Sequence, residues 1–104
     1  MTHIERLRKN IEDIAYSKGI TIPDVEDGCE LRHGYIQRMG NNQKGTIPLD
    51  VALKFAKFLG TTVDSLVTTD FSYLVKKRDI ELKRMEIQKL SAEVSALESD
   101  LEEV

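Results

Sequence analysis

From Asp70 to the end of the chain there is no glycine and no proline, and Glu, Lys, Leu and Ser dominate. Nothing in such a run breaks a helix. The natural reading is one helix of up to 35 residues, about 52 Å long at 1.5 Å per residue. With Ile80, Ile87, Val94 and Leu101 at heptad position a, Leu90, Leu97 and Val104 fall at d, and Lys83 is the exception. A helix this long and this polar cannot pack along its full length on the remaining domain of about 65 residues. The seam of Ile80, Ile87, Leu90, Val94, Leu97 and Leu101 is therefore expected to meet a second copy in a homodimer, with a tetramer as the larger option. The competing arrangement leaves the helix solitary or folded back on the domain. β-branched residues at a with Leu at d favour two parallel strands. Flanking charges divide: in a parallel pair Asp79 attracts Arg84 of the second copy, whereas Glu93 repels its Glu98, which keeps antiparallel and higher-order bundles open. The cluster "KKRD" with Lys83 and Arg84 is either a solvated face or an approach to phosphates, and the acidic "ESDLEEV" either frays or faces a basic partner.

The first two-thirds is written in short helical periods. Ile4, Leu7, Ile11, Ile14 and Ala15 form the stripe of an amphipathic helix over residues 3–18, and Gly19 stops it. Thr21 then serves as an N-cap, Pro23 fits a first turn, and Asp24 and Glu26 suit the positive end of a second helix over about 22–29. The amides near Thr21 and Ile22 offer a phosphate site on the same grounds. Glu30 and Leu31 make a turn, and Arg32 to Gly40 is expected as a third helix with Ile36 and Met39 inward. "GNNQKG" is the strongest loop signal. Thr46 and Pro48 open a fourth helix whose core stripe is read as Leu49, Ala52, Leu53, Ala56 and Leu59, with Phe55 and Phe58 also inward and Gly60 as the stop. "TTVDSLV" supplies a fifth, capped by Thr62. Alternation never persists long enough for a strand, so the expected class is all-α.

Composition narrows the chemistry. Fifteen basic against eighteen acidic residues give a net charge of −3, so a polyanion site depends on local clustering rather than on overall charge. The single cysteine, Cys29, excludes an internal disulfide, suits a reducing compartment and falls where the pattern wants an apolar residue. His3, Cys29 and His33 lack metal-site spacing, and neither a metal nor a cofactor is expected. No paired carboxylates, activated nucleophile or phosphate-cradling glycine loop is present, so the chain reads as a non-enzyme. With no long apolar run and no signal-peptide core in "MTHIERLRKN", a cytoplasmic protein without a membrane partner is expected.

Taken together, "KGITIPDVEDGCELRHGYIQRMGN" and "PLDVALKFAKFLGTTVDSLV" resemble the Cro and phage-repressor type (Xre) helix-turn-helix family over about residues 3–67. The carrying features are the spacing of Val25, Cys29, Leu31, Ile36 and Met39 and the closing segment with its Leu-Gly before a last short helix. The resemblance implies a five-helix, lambda-repressor-like domain over residues 1–69, with residues 70–104 as an added helix for oligomerisation. It implies a sequence-specific DNA-binding regulator, a prophage or bacterial repressor, whose dimer meets half-sites of double-stranded DNA about one duplex turn, or roughly 34 Å, apart. In that family the helix matching residues 32–40 enters the major groove. Carried over by position, Arg32, His33 and Tyr35 stand at its exposed start. Gln37 and Arg38 follow one turn later, with Arg38 the first choice for a bidentate guanine contact. Gly34 admits close approach of the backbone, and Asn41, Asn42, Gln43 and Lys44 meet phosphates.

Two departures stand beside this. The family's turn carries glycine where this chain has Glu30, so an αL conformation there is strained or the turn is rebuilt. The second helix is acidic (Asp24, Glu26, Asp27), so these carboxylates point away from DNA, or the contact is weak, or the surface binds something else. The rival reading is accordingly a protein-interaction module, such as an antitoxin, antirepressor or adaptor. DNA binding requires positive potential around Arg32, Arg38 and Lys44 with Asp24 and Asp27 turned away.

Overall fold

A computed structural model of the chain describes residues 2–40 and 46–102. Its elements are helical throughout: α1 (His3–Lys18), α2 (Ile22–Gly28), α3 (Tyr35–Gly40), α4 (Leu49–Leu59), α5 (Val63–Thr68) and α6 (Ser72–Glu102). Among the described residues there are thus six helices and no strand. The molecule is 70 Å long and 25 by 22 Å across, because α6 runs far beyond the other five.

Local chemistry sets most helix ends. Thr2 accepts the Glu5 amide while the Glu5 carboxylate accepts the Thr2 amide, a reciprocal cap that starts α1. Thr21 and Asp24 repeat the device at α2. The Thr21 amide is therefore already taken by a carboxylate, and the phosphate site expected there would have to compete with an anion in place. At Gly19 and Gly60 the backbone is left-handed, at φ 71° and 72°. Each closes its helix with paired bonds from itself and the next residue to carbonyls three and five positions back.

The end of α2 uses the same closure with a residue less suited to it. Glu30 donates to Asp27 O and Leu31 donates to Glu26 O, while Glu30 itself sits at φ 59°. The turn is therefore not rebuilt: a side chain occupies the αL position at a cost of roughly 1 kcal/mol.

α1 is the hub and packs against all five other helices. Leu7 and Ile11 of α1 meet Val25, Ile36, Phe55 and Leu66 in one core. On α4 the buried arc is turned from the expected stripe. Val51, Ala52, Phe55, Ala56 and Leu59 face inward, whereas Leu49 and Leu53 are 70% and 53% exposed. Phe55 is the largest fully buried side chain of the domain and takes the centre of the core, with Leu49 and Leu53 outward. Phe58, also expected inside, is 41% exposed and lies against the backbone of α2 at Gly28. A Cβ at Gly28 would stand 2.2 Å from its ring, so the absence of a side chain there is what lets α2 and α4 approach.

The root of α6 belongs to the packed domain. Phe71 and Leu74 lie against the core, and buried Asn10 of α1 ties the junction. Its amide donates to Leu66 O at 2.8 Å and Thr69 O at 2.6 Å, and its oxygen accepts from Phe71 N at 3.3 Å. Tyr16 adds a hydroxyl hydrogen bond to Asp79, which raises the phenol pKa and binds α1 to the third turn of α6. From Leu82 to Leu101 every residue of α6 is exposed.

Candidate nucleic-acid interface

The candidate surface centres on α3, and α3 is shorter than expected. Arg32 and His33 lie in the turn before it, and the helix begins at Tyr35. Gly34 explains the boundary. Its φ of 90° is incompatible with a helix interior, yet its carbonyl accepts the first helical bond from Arg38 N at 2.9 Å. Gly34 is thus the N-cap, and it has no side chain with which to cap.

The cap comes from α2 instead. Glu26 is 1% exposed, and its carboxylate accepts from Gly34 N at 3.1 Å and from Ile36 N at 3.0 Å. Two amides that the short helix leaves open are satisfied by a negative charge at its positive end. Ile36 and Met39 then anchor α3 in the core, and the Tyr35 ring packs 6.4 Å from that of Phe55 at 53°. Burial, with a smaller contribution from Asp50, pushes the Tyr35 phenol up and keeps it neutral.

This fixes what faces outward. Arg32, His33, Gln37 and Arg38 are exposed, and Tyr35 is half-buried with part of its ring committed to packing. Neither Arg32 nor Arg38 forms an ion pair with another described residue. The Arg38 guanidinium passes over Gly34, where a Cβ would stand 3.1 Å from Nη1. Gly34 therefore provides both the backbone geometry and the room. Asn41, Asn42, Gln43 and Lys44, expected at phosphates, lie outside the described residues.

The acids of α2 divide into three roles. Asp24 closes its own helix, and the Thr21 amide followed by the hydroxyl holds its carboxyl below the ordinary range. Glu26 is consumed by α3. Asp27 meets His33, Oδ1 to Nε2 at 2.7 Å, with both side chains exposed. Asp27 is therefore not turned away from the surface that carries Arg32 and Arg38. Beside it, Gly28, Cys29, Glu30, Lys54, Lys57 and Phe58 line an open groove of 430 Å³. Cys29 is buried at the end of α2, and desolvation raises its thiol pKa, which makes it a packing residue.

Sequence reasoning missed Glu26 and Asn10 as positioning residues. Asn10 sits on the stripe of Leu7, Ile11 and Ile14, where a polar residue signals a satisfied buried group. Glu26 adjoins inward-facing Val25 and Cys29, but its partners lie eight and ten residues away. Among the described residues no three His, Cys, Asp or Glu side chains converge as a metal site would require, and no helix is long and apolar enough to cross a membrane. Comparison of the chain with family models, with curated proteins and with solved structures found no match.

Proposed function

We propose that the chain is a cytoplasmic, sequence-specific DNA-binding regulator of the Xre helix-turn-helix type, acting as a repressor in a bacterial or prophage setting and paired through α6. In this reading α2 and α3 are the two helices of the reading unit. The observation that carries it is the Glu26 bridge. A buried carboxylate locks a six-residue helix onto its predecessor and leaves Arg32, Gln37 and Arg38 pointing out on a rigid mount. A rigid donor-rich helix is what major-groove readout needs, because a bidentate Arg contact tolerates little misplacement.

Selection of sites from a random duplex pool tests it with the full chain and with a Leu90→Asp, Leu97→Asp chain. The expected result is an inverted repeat enriched by the former and much weaker, half-site enrichment by the latter. Arg38→Ala should lose about 1–3 kcal/mol of preference for one base, whereas Lys44→Ala weakens all sequences alike. Equal loss on specific and random DNA in Arg38→Ala refutes its role as a base reader.

The Asp27–His33 pair favours a second reading, in which this face holds a protein partner. A carboxylate next to the reading residues repels phosphate. The absence of any enriched site at about 50 mM salt, where phosphate contacts are strong, selects this reading over the first.

A further inference from the structure

The described part of α6 carries two opposite faces. Phe71, just before α6, and Leu74, Val75 and Arg78 on it are at least half-buried and fall at heptad positions f, b and c, with half-buried Ser72 and the Tyr16-bound Asp79 beside them at g. Ile80, Ile87, Leu90, Val94, Leu97 and Leu101 fall at a and d and are 51 to 76% exposed. Docking of the domain thus leaves the seam free from Ile80 to Leu101.

We infer that this seam pairs with a second copy of the chain in antiparallel orientation, so that the two domains sit at opposite ends of the rod. The inference rests on the reading of α6 as the pairing helix and adds its direction. Charge along the helix supports it. Residues 72–90 carry six Lys or Arg against three Asp or Glu, and residues 91–102 carry four acids and no base. Parallel pairing sets acidic end against acidic end, whereas the antiparallel register below sets each acidic end beside residues 82–93 of the second copy, where Lys83, Arg84 and Lys89 outnumber Glu86 and Glu93.

The individual positions agree. Parallel pairing stacks Lys83 on Lys83 inside the seam and places Glu93 beside Glu98. Its one favourable flanking pair, Asp79 with Arg84, engages a carboxylate that Tyr16 of the same chain already holds. The antiparallel register with Ile87 over Leu97 and Leu90 over Val94 sets Lys83 over Leu101, at the level of Asp100, and Arg84 beside Glu98. A slide of one heptad toward the roots would draw Lys76 into the seam as well. Acids at g (Glu86, Glu93, Asp100) face one another in this register, but they are exposed and screened, and they weigh less than two ammonium groups on the axis.

In this arrangement the centres of the two docked roots lie about 52 Å apart, roughly thirty-five residue steps along the rod. The half-sites of a paired operator would then be more than one duplex turn apart.

The test uses the full chain on a Cys29→Ala background. Ile87→Cys and Leu97→Cys are prepared separately, and each is oxidised mildly alone and as an equimolar mixture. A disulfide-linked dimer that forms only in the mixture is expected, since the two positions oppose each other. Linkage in each variant alone overturns the antiparallel direction while preserving the pairing helix. An unsubstituted seam is read in parallel by a spin label at Lys77→Cys, an exposed off-seam site. A separation of about 45 Å is expected, and one under about 25 Å means parallel strands. A chain that sediments as a monomer at about 100 µM, well above ordinary dimer affinities, overturns the pairing reading and its direction together.

Discussion

Removing the Glu26 carboxylate is the sharpest test of how α3 is mounted. In Glu26→Ala the amides of Gly34 and Ile36 lose their acceptor, and the Ile36 amide is in the buried interior. A hydrogen bond to a charged group contributes about 1.5–3 kcal/mol net, and an abandoned buried donor carries its own penalty of about 1–3 kcal/mol. Water reaches the partly buried Gly34 amide and recovers some of the loss. An overall cost of about 3–4 kcal/mol follows, against a total stability of about 5–15 kcal/mol for a chain of this size. Glu26→Gln keeps the shape and one carbonyl acceptor but turns an amide group toward the second donor, so about half the cost is expected. Urea unfolding followed by helical circular dichroism measures both. At a slope of about 1–1.5 kcal/mol per molar, the alanine variant should lower the midpoint by roughly 2–4 M. Hydrogen exchange adds locality: the Gly34 and Ile36 amides should accelerate more than those of α1. An alanine variant within about 0.5 kcal/mol of the parent, or a glutamine variant indistinguishable from it, would refute the cap, because a surface substitution has effects of that size.

Three further outcomes are expected. Glu30→Gly should stabilise the chain by about 0.5–1 kcal/mol, since relief of αL strain exceeds the added freedom of the unfolded chain, and a lower urea midpoint would contradict the Schellman-type closure at this site. Glu98→Lys should raise the dimer dissociation constant about tenfold by sedimentation if Arg84 is its antiparallel neighbour, whereas a tightened dimer would point to relief of a parallel Glu93–Glu98 clash. Asp24 and Asp70 are held below the ordinary carboxyl range, chiefly by the amides of Thr21 and Ser72. The folded state therefore prefers both ionised. Their contribution is complete above the unfolded value of about 4 and is lost as pH falls through the lower folded values. Asp24→Asn should flatten the acid limb of the urea midpoint against pH, and an unchanged limb would refute the assignment.

Helix ends made by neighbouring residues were legible in the sequence. Thr21 with Pro23 marks the start of α2, Gly19 and Gly60 mark stops, and the run free of Gly and Pro marks α6, because each signal acts within a few positions of itself. The start of α3 was not legible. Arg32 and His33 have nothing locally against helix, and what excludes them is the positive φ of Gly34 together with a carboxylate from another helix. The face of α4 failed for a related reason. Leu49 and Leu53 fit a 3.6-residue stripe as well as Val51 and Phe55 do, and only the space left by α1 and α5 decides which set is buried. Of the candidate surface, the exposure of Arg32, Gln37 and Arg38 followed from pattern. The pairing of Asp27 with His33 depends on how α2 is rotated against the turn, which periodicity over seven residues does not fix.

Asn10 and Glu26 are the two buried polar side chains among the described residues, and they share a logic. Each sits on a helix of the core and aims at the backbone of a different element: Asn10 at the junction of α5 and α6, Glu26 at the start of α3. Apolar packing alone would let α3 slide or α6 swing, since contacts among Ile, Leu and Phe are nondirectional. A buried amide or carboxylate allows one arrangement of donors and acceptors and penalises every other. Glu26 therefore sets where Arg32 and Arg38 point, and Asn10 sets where the rod leaves the domain. If α6 pairs the chains, the distance between the two candidate surfaces depends on both settings at once. Asn10→Leu should then leave the fold largely helical while broadening the label-to-label distance distribution at Lys77→Cys. Glu26→Gln, which perturbs only α3, should leave that distribution unchanged. A distribution that broadens equally in both would mean that the two buried groups do not position separate elements.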